Sequence, residues 1–354
     1  GLARGVRIAS AWLATCPLAA LSLPAPSSAM TVWYFAVLSI VLWALEDVAR
    51  ARAGLRKMRV AGPLGRAFAL AVASSALFFS TWVRMYAPWP CAVFLSVGQG
   101  DCAILRHAGK VVIVDTGTEQ AMERSVLSYL RWAGIREVDL CVLSHLHDDH
   151  AGGLTPLCAN LQVKAILTAY GTKEELKTAL GHKGVAAVSI TEAIPGATYA
   201  IGTWAIRVES PGDAALSNSD ANEDCLVISV SANSPSPGRA GNNGVYFEFW
   251  GDAPSALVSA ALKNMDREGL RIVKVPHHGS IHSLVPRLYE EPEAGLALVS
   301  VGTNSYGHPS SEVLGYARSV GLSVWRTDKC GTVSVTVKKG KVYPDTYIES
   351  LVGE

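Results

Sequence analysis

Charge is scarce in this 354-residue chain. Asp, Glu, Lys and Arg make up 17% of it, against about 25% in an ordinary soluble domain. The deficit is uneven. No charged residue falls between Ile8 and Leu45, and residues 50–66 carry six positive charges without one acid. Paired cysteines are also missing. The seven cysteines (Cys16, Cys91, Cys102, Cys141, Cys158, Cys225 and Cys330) are odd in number and contain no CxxC, which excludes a zinc ribbon or a disulfide framework. Cys141, inside LCVLS, reads as a small buried hydrophobe. A basic excess is absent where a nucleic-acid footprint would be sought. Nine Lys/Arg against two acids before residue 90 give +7. The remaining 22 basic and 28 acidic residues give −6 over 90–354. A domain of that sign does not advertise DNA binding. Lys274, Arg271, Arg287 and Arg326 are the cations that would have to gather along one edge to do so.

What is present before residue 88 is apolar. Met30–Leu45 is a solid hydrophobic run and, with its flanks, reaches the ~20 residues that span a bilayer. Ala67–Val83 is a second, 17-residue uncharged run. Short Lys/Arg-rich loops stay cytoplasmic, so the basic stretch 50–66 places whatever follows Tyr86 outside the cell. The expected membrane region, 1–87, therefore comprises an amphipathic or re-entrant stretch at 8–28, spans near 29–48 and 67–86, and the cytoplasmic loop between them. Trp82, Tyr86 and Trp89 suit an interfacial belt at the exit. Residues 1–29 also fit a signal peptide loosely, and either run also fits a buried helix. Because the chain opens on Gly rather than Met, it reads as a fragment or a processed product whose N-terminus lies upstream.

From Cys91 short β-rich runs take over: CAVFLSV, CAILRH, KVVIVDTG, VDLCVLS (138–144) and VKAILTAY (163–170). A second block follows: WAIRVES, CLVISVS, GVYFEFWG, LRIVKV, LALVSVG, LSVWRT and TVSVTVKK. Helical spacing appears at 119–132, with Met122, Val126, Leu127 and Leu130 on one side, at KEELKTAL, and at 255–267 and 311–319. Residues 231–244 read as a flexible hairpin insert. Strand-dominated blocks with interspersed helices predict an α/β domain over 88–354, layered αββα.

Residues 144–154, SHLHDDHAGGL, hold three of the nine histidines within six positions. His145 and His147 point to one side where a strand breaks, Asp149 and His150 follow, and Gly152-Gly153 turns the chain into a helix. Two ligand pairs are offered on one loop. Imidazole with carboxylate suits Zn²⁺, Mn²⁺ or Fe²⁺ and not Ca²⁺.

HxHxDH, read here as His145–His150, resembles the signature of the metallo-β-lactamase fold. The resemblance implies that Asp115, in IVDTG, orients the histidine loop from behind. It implies that Asp252, in FEFWGD, bridges two metals, and that His277 or His278, in VPHHGS, completes the second metal's shell. FLSVGQGDCAIL, VIVDTG, SHLHDDHAGGL, FWGDA, VKVPHHGS, SVGTNSYGHPS and RTDKCGTV occur in the order seen in the C-terminal domain of the ComEC family of competence proteins. Those are membrane channels for transforming DNA, and the apolar N-terminal region resembles the tail of their membrane domain. Ser96 and Cys225 depart from that pattern, which has Asp and Ser there. The third histidine of the usual first metal site is also missing, since only His182 lies between His150 and Asp252 and it reads as a helix end. That site is then either weak or completed by Asn222, Asp224 or water.

This resemblance implies an inner-membrane protein with an extracytoplasmic, metal-dependent nuclease domain acting on DNA beside other competence proteins. One or two Mn²⁺ or Zn²⁺ ions would be held by His145, His147, Asp149, His150, Asp252 and His277 or His278. Asp149, Asp252 and His308 would act in catalysis, while Gln99, Asp101, Asn222 and Ser280 would touch substrate. A domain that binds DNA without cleaving it, and a hydrolase of another phosphoester or a lactam, are the alternatives.

Overall fold

The computed structural model describes residues 72–76, 89–182, 188–210, 222, 224–232, 244–265, 269–290 and 294–346. The chain divides into two compact units, one of Gly1–Met85 with Leu130–Ile135, the other of Tyr86–Tyr129 with Arg136–Glu354. Of the first, residues 72–76 are helical and 130–132 end a helix. The expected spans at 29–48 and 67–86 and the loop at 50–66 otherwise lie outside the described residues. Among the described residues no helix is long and apolar enough to cross a membrane.

The second unit carries the strands. They are β1 (Cys91–Phe94), β2 (Ala103–His107), β3 (Lys110–Val114), β4 (Glu137–Val138), β5 (Leu140–Val142), β6 (Gln162–Val163), β7 (Ala165–Thr168) and β8 (Ser189–Glu192). Then come β9 (Thr198–Ile201), β10 (Trp204–Val208), β11 (Ile228–Ala232), β12 (Val245–Phe249), β13 (Leu270–Lys274), β14 (Ala294–Val299), β15 (Ser323–Arg326), β16 (Val333–Lys338) and β17 (Lys341–Thr346). One large sheet runs β17-β16-β1-β2-β3-β5-β7-β8, the other β15-β14-β13-β12-β11-β10-β9, and β4 and β6 pair as a small third sheet. The last four strands of the first sheet are mutually parallel, as are β12 to β15 in the second. Parallel strands need crossovers, and helices supply them.

Strand alternation decides where the core lies. One face of each sheet turns inward, and Phe94, Leu105, Val112 and Val114 meet Trp204, Phe247, Phe249 and Leu298 in a single buried cluster. The Phe94 and Phe249 rings stack across it, 5.8 Å apart and 24° from parallel. The outer face of the second sheet buries Val273, Ala297 and Val299 under Val258, Ala261 and Leu262 of helix Ser255–Asn264 and Val313 and Ala317 of helix Ser311–Ser319.

Several local expectations change in detail. The helix over 119–132 is real, but its middle, Met122–Val126, opens into a wider π turn. Its apolar stripe (Met122, Val126, Leu127, Leu130) is buried as the spacing predicts. The strand expected over 138–144 is broken at Asp139, whose carboxylate accepts the Val111 amide at 3.0 Å and bonds Lys110 and Lys164 at 2.9 and 3.0 Å. A buried acid with its own partners takes the place of a ladder residue. The helix at 255–267 stops at Asn264, and most of the insert at 231–244 lies outside the described residues.

Phe249→Ala removes one half of the aromatic stack between the sheets. Urea unfolding is expected to show a loss of about 3–5 kcal/mol with an unchanged dependence on denaturant. A loss under 1 kcal/mol contradicts a tightly packed inter-sheet core.

Candidate metal centre

The polar residues of the second unit converge where parallel strands of both sheets end, the usual place for a site in an open α/β sheet. From β3 the chain enters Asp115. From β5 it enters Ser144 to His147 and then the short helix Asp148–Ala151. From β12 it reaches Asp252, from β13 His277 and His278, and from β14 Ser300 and the loop to His308.

Asp115 organises the first of these loops. It is held at φ +56°, and its Oδ1 accepts the Ser144 amide at 2.7 Å. Its Oδ2 accepts the Ser144 hydroxyl at 2.8 Å and lies 2.9 Å from His150 Nδ1. The Ser144 hydroxyl has one proton, spent on Asp115, so the His145 Nδ1 at 3.0 Å must donate to it. That leaves the His145 Nε2 lone pair facing outward, 3.1 Å from His147 Nδ1. By the same reasoning His150 donates through Nδ1 to Asp115 and presents Nε2 to Asp252 Oδ1 at 3.1 Å. His278 Nδ1 donates to the Ser300 carbonyl at 2.9 Å. Its Nε2 faces Asp149 Oδ2 at 3.3 Å and Asp252 Oδ1 at 3.6 Å. Fixing one ring nitrogen so that the other projects is how proteins aim imidazoles at metals.

Asp149, His150, Asp252 and His278 thus bring one donor atom each within 4.8 Å of one another. The His150 Nε2 and Asp252 Oδ1 atoms are buried and make no well-formed hydrogen bond among the described residues. Two nitrogens, two carboxylates and two such orphaned atoms fit a divalent ion. His145 and His147 stand next to this group rather than in it, with the His145 ring 4.2 Å from that of His150. His277 is half-buried, its Nε2 3.5 Å from Asp252 Oδ2, and the His308 ring stands edge-on to it at 5.4 Å.

Glycines make the approach possible. Gly152 and Gly153 have ordinary helical φ values, −59° and −76°, so the turn does not need their flexibility. It needs their missing side chains: a Cβ on Gly153 would lie 2.4 Å from the Thr116 carbonyl oxygen and 2.8 Å from Met122.

Two residues expected to touch substrate are instead interior. Asp101 is 5% exposed, and its carboxylate pairs with the Lys274 ammonium, itself 2% exposed. Its amide donates to the Asp149 carbonyl at 3.0 Å, anchoring the metal loop. Ser280 is buried and its hydroxyl accepts the His282 amide at 3.3 Å. Gln99 is half-buried and takes the Gly302 amide at 3.3 Å. Asn222 is half-buried between undescribed neighbours. Three of the four cations that a basic edge would need are held in pairs. Lys274 and Arg271 are buried against Asp101 and Glu248, and Arg326 pairs with Asp328 at 2.7 Å. Ser144 and Ser300 carried no sequence signal, since a serine and a main-chain carbonyl become orienting groups only through the fold. Cys225 packs its sulfur 3.8 Å from His145 Nδ1, and burial pushes its thiol pKa up.

The charges respond to this crowding. Burial, with His150 beside it, pushes His145 down to about 3, so it is neutral at any ordinary pH. Burial opposes protonation of His150 too, but the Asp252 and Asp115 carboxylates outweigh it and raise its pKa well above the usual value. Burial likewise opposes ionisation of Asp149, yet the His278 hydrogen bond and the His150 charge bring it to about 2. Asp252 is held low by His150 and His278 against its own burial.

The sequence profile described as the Metallo-beta-lactamase superfamily matches residues 95–285. The chain is 25% identical over 277 residues to ComE operon protein 3 of Bacillus subtilis (strain 168), covering 71% of this chain and 34% of that protein. It is 26% identical over 259 residues to Competence protein ComA of Neisseria gonorrhoeae, covering 69% and 32%. It therefore spans about a third of the length of either relative. The metallo-beta-lactamase fold protein YhfI from Bacillus subtilis matches with a TM-score of 0.45 at 14% identity, covering 72% of this chain and all of that one.

Two tests follow from the site. Metal uptake must displace the His150 proton. Calorimetry in buffers of different ionisation enthalpy should show close to one proton released at neutral pH, with apparent affinity rising about tenfold per pH unit below the His150 pKa. A buffer-independent heat contradicts this. Lys274→Met takes the ammonium partner from the buried Asp101 carboxylate, a loss of about 3–5 kcal/mol in denaturant unfolding. Adding Asp101→Asn should recover most of it.

Proposed function

The chain belongs to the metallo-beta-lactamase superfamily, and from that premise we propose that its second unit is a metal-dependent phosphodiesterase acting on DNA. The observation that carries the reading is the convergence of Asp149, His150, Asp252 and His278, two acids and two histidines, on one point. Mn²⁺ or Zn²⁺ is the ion such donors select. Once bound, it would polarise a phosphoryl oxygen and make a water nucleophilic at neutral pH.

The chain's own residues do the rest. Asp115 and the Ser300 carbonyl hold the His150 and His278 rings so that Nε2 of each projects toward Asp252 and would be available to hold the ion. Asp252 reaches toward both His150 and His277 and would supply a carboxylate ligand between them. His145, neutral, and His147 beside it form an incomplete first position. Between His150 and Asp252 the sequence offers only His182 to complete it, so that position is the weaker of the two. His308 has its pKa lowered by burial and by His277 and His278, so at neutral pH it offers an uncharged ring to a substrate oxygen at the mouth.

The similarity to two competence proteins supports placing this activity in DNA uptake. In this reading residues 1–87 are membrane-embedded, and the hydrolase lies on the extracytoplasmic side with other uptake proteins as neighbours. There it degrades the strand that does not enter, or trims DNA at the channel mouth. The hydropathy of 30–45 and 67–83 and the basic stretch at 50–66 favour that topology.

End-labelled single-stranded DNA incubated with the purified protein is expected to be cut with Mn²⁺ or Zn²⁺ and left whole with EDTA. Asp149→Ala and Asp252→Asn should each lower the rate at least about 100-fold. Folded, metal-loaded protein that leaves DNA intact defeats the nuclease reading and points to DNA binding without cleavage or to another ester or amide.

A further inference from the structure

Tyr306 is 74% exposed, the most exposed large apolar side chain among the described residues. Its backbone is nevertheless tightly held. Asn304 Oδ1 accepts the amides of Tyr306 and His308, both at 3.1 Å. Asn304 Nδ2 donates to the carbonyls of Gly302 at 2.9 Å and His308 at 2.8 Å. One amide side chain thereby closes the loop 302–308 on itself. The loop is also seated on the metal centre. The Ser310 amide donates to the Gly279 carbonyl at 2.9 Å, and a Cβ on Gly279 would lie 2.5 Å from Pro309.

The Tyr306 ring is the outer member of a ring series. It lies 5.8 Å from the His308 ring, tilted by 34°. His308 stands edge-on to His277 at 5.4 Å, and His277 touches Asp252 at 3.5 Å. A large aromatic ring presented to water on an immobilised loop is ready for contact at small entropic cost. The chemistry of a partner is narrowed by charge. Residues 90–354 carry −6, and Arg271 and Lys274 are buried in internal pairs, so phosphate attraction is a poor source of affinity here. Stacking of bases on aromatic side chains is the sequence-tolerant alternative for a single strand.

We infer that Tyr306 is a stacking platform for a nucleobase of the strand whose phosphodiester lies at the Asp252 centre. The inference rests on the nuclease reading and adds the face by which the strand is held: a flat base ring against Tyr306, with His308 behind it. It requires unpaired bases and is indifferent to their sequence.

The experiment is fluorescence anisotropy with the whole protein and two labelled, cleavage-resistant phosphorothioate oligomers of equal length. One is oligothymidylate and the other is abasic, so that phosphates match and only bases differ. Wild type is expected to bind the thymidylate about 5- to 150-fold more tightly. Tyr306→Ala should remove that gap while leaving affinity for the abasic strand unchanged, and Tyr306→Trp should keep it. Because the side chain is exposed, these variants are expected to fold. Equal binding of the two strands by wild type overturns the platform and leaves the nuclease reading standing. A gap that persists in Tyr306→Ala overturns the assignment to Tyr306. If wild type binds neither strand and leaves natural single-stranded DNA uncut with Mn²⁺, both readings fall.

Discussion

The carboxylate of Asp115 is the constraint on which the site depends. One side chain accepts the Ser144 amide, the Ser144 hydroxyl and the His150 ring. Those bonds join the end of β3 to the loop after β5 and decide which nitrogen of His145 and of His150 projects. Without them the histidine loop has the right residues and no defined aim. The positive φ at Asp115 is what turns its carboxylate back onto that loop. Such a conformation is uncommon for a residue with a Cβ, and here the three hydrogen bonds hold it.

A second tie comes from beneath. The Lys274–Asp101 pair joins β13 of one sheet to the turn before β2 of the other, and the Asp101 amide then holds the Asp149 carbonyl. Asp149 and His278 belong to different sheets, yet their side chains approach to 3.3 Å. Inter-sheet packing of Phe94 on Phe249 brings the sheets together over a broad face. The buried ion pair sets their alignment at the edge where the donors must meet. Apolar contact is non-directional and could not do that alone. A buried charge that loses its partner is costly, so this tie tolerates little slippage.

Electrostatics give the centre its character. Four carboxylates (Asp101, Asp115, Asp149 and Asp252) lie within 4.0 Å of the buried His150; Asp252 and Asp115 raise its pKa well above the usual value, and Lys274 pairs with Asp101. A divalent ion would take the place of the His150 proton among the same acids. The loop bearing Tyr306 and His308 adds a second kind of surface beside this anionic pocket: flat, aromatic and exposed.

Much of this was legible in the residues alone. Alternation and turn spacing located most strands of the second unit, because half-buried strands must alternate. The crowding of His145, His147, Asp149 and His150 marked a candidate metal loop; Asp149 and His150 join the four-donor group, while His145 and His147 stand beside it. The choice between His277 and His278 was not legible. Adjacent in sequence, they differ only in that the chain's left-handed passage through this turn sends His278 inward, onto the Ser300 carbonyl, and leaves His277 half-exposed. The interior role of Asp101 was hidden for a like reason. A glycine-flanked acid looks like a surface turn until a lysine 173 positions later in the chain is brought against it. Sequence by itself determined the donor types and the strand pattern, since these follow from side-chain chemistry and local periodicity. Tertiary structure alone decided which donors share a point, because that depends on the pairing of distant strand ends across two sheets.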